Sequence, residues 1–94
     1  MKVIYTDDAL EDLEFAYDFI VRKWPDVLVG FERRLVEIER LVSEHSESGH
    51  ILTKRPGVRS VAFTHYPYLL YYRIKGTHVE VLRIYNTSQR PWER

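Results

Sequence analysis

The chain has 94 residues, of which 45% are hydrophobic and 30% are charged, a composition that predicts one folded domain over residues 1–94. Lysine and arginine together number 14, and so do aspartate and glutamate, so the formal net charge is zero. Proteins that bind nucleic acid mainly through phosphates usually carry a basic excess, so direct nucleic-acid binding is not expected. Because cysteine is absent, the sequence excludes disulfides, thiolate metal sites and a cysteine nucleophile.

The N-terminus lacks the apolar run of a signal peptide, and no segment approaches the length of a membrane span. We therefore expect a cytoplasmic protein without a membrane partner. The four histidines show no spacing typical of metal ligands, so neither a metal nor another cofactor is predicted.

Hydrophobic periodicity predicts a strand and two helices in the N-terminal half of the chain. Residues 2–5 are mostly β-branched or aromatic and predict the strand. Apolar residues then recur at helical spacing over residues 9–24 and again over residues 28–42. Pro25 ends the first helix and suits the first turn of the second, so a tight helical hairpin is predicted. Gly30 lies inside the second helix, where we expect it to allow close approach of the first helix.

The spacing of the apolar residues changes in the C-terminal half and predicts β-structure. A polar segment over residues 43–49 ends the second helix, with Gly49 as its expected cap, and residues 51–57 are predicted to form a loop. Three strands follow over residues 58–64, 68–75 and 78–85, joined by turns at 65–67 and 76–77. The predicted order is β-α-α-β-β-β, an α+β fold in which a helical hairpin packs on an antiparallel sheet, with a polar tail over residues 86–94.

Five short motifs are distributed over nearly the whole chain. They are Ala9 with Leu13, SESG at residues 46–49, RPGVR at 55–59, YPYLLYYR at 66–73, and VLRI at 81–84 followed by Arg90 and Pro91. In this order and spacing they resemble the RelE/ParE toxin superfamily, and in particular its ParE branch. The resemblance implies a RelE/ParE-like fold and the toxin of a type II toxin–antitoxin system, neutralised by a small antitoxin made with it.

Two mechanisms occur in that superfamily, and each implies its own target. ParE-type members bind DNA gyrase and trap its cleaved DNA, and their partner is a ParD-like antitoxin. RelE-type members are ribosome-dependent endoribonucleases that cut mRNA with clustered basic residues and a tyrosine or acid near the C-terminus. A third interpretation is a non-toxic binding module of the same fold.

The distribution of basic residues favours gyrase binding over RNA cleavage. Attack by a 2′-hydroxyl needs a base, an acid and cations that stabilise the charge of the transition state. Arg59 matches a basic position of the RelE-type enzymes, but Tyr68 stands where they have an arginine. A protein-binding inhibitor is therefore favoured over an enzyme. If the chain is a nuclease, Arg59, Tyr85 and Arg90 are its candidate catalytic residues.

The hairpin turns predict which arginines of the sheet face each other. The second turn pairs Arg73 with Glu80 and Leu70 with Arg83, and the first turn places Arg59 opposite Arg73. Two arginines would then flank one glutamate, an arrangement that predicts a docking site for an antitoxin carboxylate. Arg59 and Arg73 are therefore the candidate antitoxin-binding residues.

Three further residues are assigned roles. Arg83 lies among apolar strand residues, where an unpaired charge is costly to bury, so we expect a structural arginine that binds carbonyls or a helix carboxylate. Arg90 and Trp92 lie beyond the last strand, and an exposed tryptophan beside an arginine is typical of interface anchors. Because the resemblance also associates the position of Arg90 with toxicity, Arg90 and Trp92 are the candidate target-binding residues.

Overall fold

The structure, a computed structural model that describes residues 1–88, confirms the α+β fold and the helical hairpin. Strand β1 (Lys2–Tyr5) leads into helices α1 (Asp7–Lys23) and α2 (Leu28–Glu44), which a 3-10 turn at Pro25–Val27 connects. Strands β2 (His50–Ile51), β3 (Val58–Ala62), β4 (Tyr68–Lys75) and β5 (His78–Asn86) follow. The sequence analysis missed β2, because two residues are too few to show a strand pattern. Neither α1 nor α2 has the length and apolar character needed to cross a membrane.

The strands of residues 1–88 form one sheet in the order β1-β5-β4-β3-β2. β1 runs parallel to β5, whereas the other neighbouring strands are antiparallel. The sheet is therefore mixed: three of its strand pairs are antiparallel, as predicted, and the pair of β1 with β5 is parallel. The helical hairpin carries the chain from one edge of the sheet to the other, and the turns between β3, β4 and β5 bring β5 back beside β1 in the same direction.

The main core lies between the helices and the face of the sheet that they cover, which we call the inner face. Its helical part consists of Ala9, Ala16 and Ile20 from α1 and Phe31, Leu35, Ile38 and Val42 from α2. Phe31 is fully buried and stacks on Phe63, with ring centroids 4.9 Å apart. A second, smaller cluster is formed by Leu52, Val58 and Tyr71. The helices therefore bury one apolar stripe each, as their periodicity predicted.

Gly30 allows a close contact, although not with α1 as predicted. A Cβ atom at this position would overlap the Tyr66 hydroxyl, which belongs to the turn between β3 and β4. The Tyr66 ring packs edge-on against Phe31, with centroids 6.0 Å apart. The prediction was wrong because sequence spacing shows that a helix position needs space but not which neighbour fills it.

A bulge changes the predicted register between β4 and β5. Arg83 lies opposite Tyr71 rather than Leu70, because the ladder shifts between Tyr71 and the next residue of β4. Leu82 is the extra residue of β5 at this point, and Ile84 then takes the inner-face position that simple alternation gives to Arg83.

The register between β3 and β4 also differs from the prediction by one residue. Arg59 lies opposite Tyr72 instead of Arg73, because the turn between the strands contains four residues, 64–67, rather than three. Since paired residues share a face of the sheet, Arg59 lies on the inner face and not beside Glu80. The predicted arrangement of two arginines around one glutamate was therefore wrong.

Alkaline pH is expected to destabilise this fold. Burial raises the pKa of Tyr5, Tyr17 and Tyr68 above the ordinary value of 10.0. For Tyr5, the hydrogen bond that its hydroxyl donates to Glu39 Oε2 at 2.6 Å raises the pKa further. Because these hydroxyl groups stay protonated to a higher pH in the folded state than in the unfolded state, pH affects stability. Their contribution to the free energy of unfolding is fully present below about pH 10 and falls as the pH rises. Tyr5→Phe should make that decline shallower in urea unfolding between about pH 9 and about pH 11, and an unchanged slope would contradict this account.

Candidate functional site

A cleft of about 390 Å³ opens between α1, the start of β4 and the end of β5. Its walls include Asp12, Phe15 and Phe19 from α1 and Arg83 and Tyr85 from β5. Ser88, the last described residue, also lines the cleft. Arg90 and Trp92 lie outside the described residues. Within the described residues, the cleft is therefore lined by both Arg83 and Ser88.

Arg83 is held in this cleft by a carboxylate of α1. Its Nε donates to Asp12 Oδ2 at 2.8 Å and its Nη2 donates to Asp12 Oδ1 at 3.0 Å, a bidentate ion pair. The backbone N of Ile84 also donates to Asp12 Oδ2, at 3.0 Å. The hydrogen bond to Asp12 raises the pKa of Arg83, although burial acts in the opposite direction. The guanidinium carbon lies 4.6 Å from the centroid of the Tyr85 ring, within range of a cation–π contact.

Local sequence features of α1 and β5 bring this ion pair together. Thr6 caps α1 by accepting a hydrogen bond from Ala9 N at 3.1 Å, and its hydroxyl donates to the Leu82 carbonyl at 3.1 Å. This contact fixes the first turn of α1 at the β5 bulge. Ala9 and Ala16 are small and buried, so α1 lies close to β5 with Asp12 between them on the facing side. Nothing in the sequence distinguished Asp12 from the other acidic residues of α1.

Arg59 binds backbone carbonyls instead of an exposed partner. Its Nη1 donates to the Glu47 carbonyl at 2.7 Å and to the Gly49 carbonyl at 3.1 Å. The Tyr72 hydroxyl accepts a hydrogen bond from Gly49 N at 3.0 Å and donates to the Ser46 carbonyl at 2.7 Å. Arg59 and Tyr72 together fix the SESG segment that follows α2 against β3 and β4.

Arg73 lies opposite Glu80, as predicted, on the face of the sheet away from the helices. Its Nε forms an ion pair with Glu80 Oε1 at 2.7 Å, and Lys75 Nζ lies 4.0 Å from Glu80 Oε2. The Arg73 side chain is 45% exposed, so this pair contributes at most about 1 kcal/mol to stability. Arg73 therefore remains accessible to a partner, whereas the contacts of Arg59 are internal.

The structure does not bring together Arg59 and Tyr85, two of the three candidate nuclease residues. Arg59 directs its guanidinium to the segment after α2, on the inner side of β3. Tyr85 lies two strands away, opposite Leu69, and its ring packs edge-on against Tyr71 with centroids 6.0 Å apart. Arg90 lies outside the described residues. Within residues 1–88, no group of His, Cys, Asp and Glu side chains could hold a metal ion.

Charge is segregated along the chain despite the net charge of zero. Residues 50–88 contain six lysines and arginines and one acidic residue, Glu80. Residues 1–49 contain twelve acidic and six basic residues. Helix α1 also exposes large apolar side chains beside its carboxylates, with Phe15 69% and Val21 51% accessible, and Trp24 directly after the helix is 50% accessible. An apolar surface of this kind on a small protein is typical of a binding site.

Loss of the Arg83–Asp12 pair is expected to lower the stability of the protein. Arg83→Ala leaves a carboxylate in a part-buried site without its main donor, at a cost of about 1–3 kcal/mol. Asp12→Ala should cost a similar amount, and the double variant should lose less than the two single variants together. Glu14→Ala, on the exposed side of α1, is the matched control. Urea unfolding measures all four free energies, and additive losses would show that the pair does not act as a unit.

Comparisons with known proteins identify relatives over most of the chain. A sequence profile described as the ParE toxin of the type II toxin-antitoxin system, parDE, matches residues 3–91. A chain from a solved structure of the chromosomal ParDE TA system from P. aeruginosa is 25% identical, with a TM-score of 0.78, and the match covers 92% of this chain and 95% of that one. The YoeB dimer from Staphylococcus aureus shares the fold at 13% identity, with a TM-score of 0.59 and coverage of 88% and 92%. No curated protein sequence matches significantly.

Proposed function

The chain belongs to the ParE toxin family of type II toxin–antitoxin systems, and we propose that it is a toxin that inhibits DNA gyrase and is neutralised by a ParD-like antitoxin. The observation that carries this proposal is the family match over residues 3–91, together with a shared fold over 92% of the chain with a protein of a ParDE system. Gyrase as the target follows from the family resemblance. We therefore also propose that the protein acts in the cytoplasm, where gyrase acts on DNA.

The separation of Arg59 from Tyr85 supports a binding mechanism over RNA cleavage. A nuclease would need its cations and its general base around one phosphate. Arg59 instead binds two carbonyls of the segment after α2, and Tyr85 packs against Arg83 and Tyr71. The chain is therefore proposed to act by binding a protein and not as an enzyme.

We propose that the antitoxin covers the exposed apolar residues of α1 and contacts Arg73. Phe15 and Val21 are accessible side chains on this helix, and burial of large apolar side chains is the main source of affinity in such interfaces. Arg73 replaces Arg59 as the more suitable contact, because it is exposed and needs only to exchange Glu80 for a carboxylate of the partner.

Arg90 and Trp92 remain the proposed target-binding residues. They follow the last described residue by two and four positions, and that residue lines the cleft beside α1. They follow β5 in the sequence and are not part of it, so contact with a target would not require the strands to separate.

Expression of the full chain in bacteria without its antitoxin tests the proposed function. We expect growth arrest with filamentous cells, induction of the SOS response and DNA breaks, while protein synthesis continues at first. Pulse labelling of DNA and protein synthesis after induction measures the order of events, and co-expression with the neighbouring gene is the control. Early loss of protein synthesis with intact DNA would support the endoribonuclease instead, and normal growth would support a non-toxic binding module.

A further inference from the structure

A second cleft, of about 300 Å³, lies between α2 and the turn that joins β3 to β4. Its polar lining consists of Arg33, Arg34 and Glu37 from α2 and Thr64, His65 and Tyr66 from the turn. Arg33 and His65 are exposed, and within residues 1–88 neither makes a hydrogen bond or an ion pair. None of its lining residues lines the cleft between α1 and β5, and the proposed toxin function does not use it.

Arg34 carries an unused donor at this cleft. Its Nη2 donates to the Ala62 carbonyl at 2.9 Å, and its Nη1 makes a long contact of 3.5 Å with Glu37 Oε1. Its Nε is buried and has no hydrogen-bond partner. A buried donor without an acceptor is costly, and the cost is higher for a charged group. The Arg34 guanidinium, which lines the cleft, is therefore only partly satisfied by its neighbours within residues 1–88.

The turn that forms the other wall is held in a strained conformation. Thr64 has φ 39° and His65 has φ 69°, in the left-handed region that residues with side chains rarely adopt and that a β-branched residue such as threonine disfavours most. Tyr66 anchors the turn to α2, because its hydroxyl occupies the space that the missing side chain of Gly30 leaves. Tyr66 therefore holds the strained turn close to α2.

We propose that this cleft binds a phosphate group. Guanidinium, imidazole and hydroxyl donors approach it from two different elements, an arrangement that suits an anion with several acceptor oxygens. A carboxylate would need only one guanidinium fork, so it would leave the donors of the turn unused. Glu37 opposes anion binding, which limits the affinity, but two arginines outweigh its single charge.

The phosphate is expected to be free or part of a small ester, rather than part of a nucleic-acid backbone. Helix α2 carries four glutamates and three arginines, so an extended polyanion laid along it would meet repulsion outside the cleft. A compact anion meets only the charges at the cleft itself. The distinction between the two sources can be measured directly.

Titration of the ¹⁵N-labelled full-length chain with inorganic phosphate tests the proposal. We expect saturable shifts of the backbone amide signals of residues 30, 33, 34 and 64–66, whereas sodium chloride at the same ionic strength should not reproduce them. Arg33→Ala should weaken phosphate binding about fivefold or more, since it removes a charged donor. Arg40→Ala, an exposed arginine of the same helix that does not line the cleft, should leave it unchanged.

A parallel titration with a short DNA duplex separates the two sources of phosphate. Duplex binding no tighter than that of inorganic phosphate supports the expected compact ligand. Tighter duplex binding that Arg33→Ala weakens would still place a phosphate in the cleft but would assign it to a nucleic-acid backbone. The proposal is overturned if inorganic phosphate and chloride give the same shifts, or if Arg33→Ala and Arg40→Ala have equal effects.

Discussion

Removal of residues 89–94 is expected to abolish toxicity while the fold and antitoxin binding survive. The chain should be cut after Ser88, because β5 extends to Asn86 and Thr87 N donates to the Pro67 carbonyl at 2.7 Å. If Arg90 and Trp92 are anchors of the target interface, their loss should weaken target binding about 30-fold or more. Colony formation after induction measures toxicity, thermal melting measures the fold, and co-purification measures antitoxin binding.

The single variants distinguish an anchor from a tail of no function. Arg90→Ala and Trp92→Ala should each reduce toxicity, whereas Arg94→Ala, in the same segment, should have little effect. A truncated protein that is fully toxic would remove both residues from the target site. A truncated protein that no longer folds would show that the segment belongs to the core instead.

A cut after Tyr85 is a less suitable experiment, although the sequence alone suggests it. Asn86 still belongs to β5 and pairs with Tyr68, and its side chain accepts hydrogen bonds from Ser88. Loss of this strand end could impair folding, so a loss of toxicity could not be assigned to target binding alone. The predicted tail over residues 86–94 therefore began too early in the chain.

The order of elements could be predicted because it depends on local patterns. Both helices have apolar stripes with a proline between them, and the long strands have turn residues at their ends. The contact of Arg73 with Glu80 was also predictable, since only the short turn at Gly76 separates the two strands and few registers are possible.

The geometry of the cleft between α1 and β5 could not be predicted, because it depends on irregularities of single residues. The extra residue Leu82 redirects Arg83 to the margin of the sheet, and an alternating pattern contains no sign of such a bulge. The partner of Arg83 is Asp12, which is 71 positions away in sequence and is one of six acidic residues on α1. Carbonyls or a helix carboxylate were expected as partners of Arg83, but only the packing of α1 on β5 shows that the partner is Asp12.

The position of Arg59 shows how an error of one residue changes a functional interpretation. A turn of three residues would have placed Arg59 beside Arg73 as a docking site for a carboxylate. The turn of four residues places it opposite Tyr72, where it binds the carbonyls of Glu47 and Gly49. The guanidinium donates hydrogen bonds in both cases, but its partners are internal in the structure, so a mutation of Arg59 is expected to affect folding rather than binding.

Gly49→Ala is expected to cost about 3 kcal/mol or more of folding free energy. A Cβ atom at this position would lie 2.5 Å from Tyr72 Oη, 2.8 Å from Tyr72 Cε1 and 2.9 Å from Arg59 Cβ. The Tyr72 side chain is fully buried, so it cannot move aside without loss of core packing and of its hydrogen bonds to Gly49 and Ser46. For a domain of this size, the loss corresponds to a fall in Tm of about 12 °C or more.

Tyr72→Phe tests whether the hydroxyl is the source of that loss. Alone, it removes the partner of Gly49 N and of the Ser46 carbonyl and should cost about 1–3 kcal/mol. Combined with Gly49→Ala, it relieves the shortest contact, so the double variant should lose less than the sum of the two single variants. Ser48→Ala, at the exposed neighbouring position, is the control for a change in the same segment. A nearly neutral Gly49→Ala would show that the segment after α2 can move away from β4, and that Arg59 and Tyr72 do not fix it.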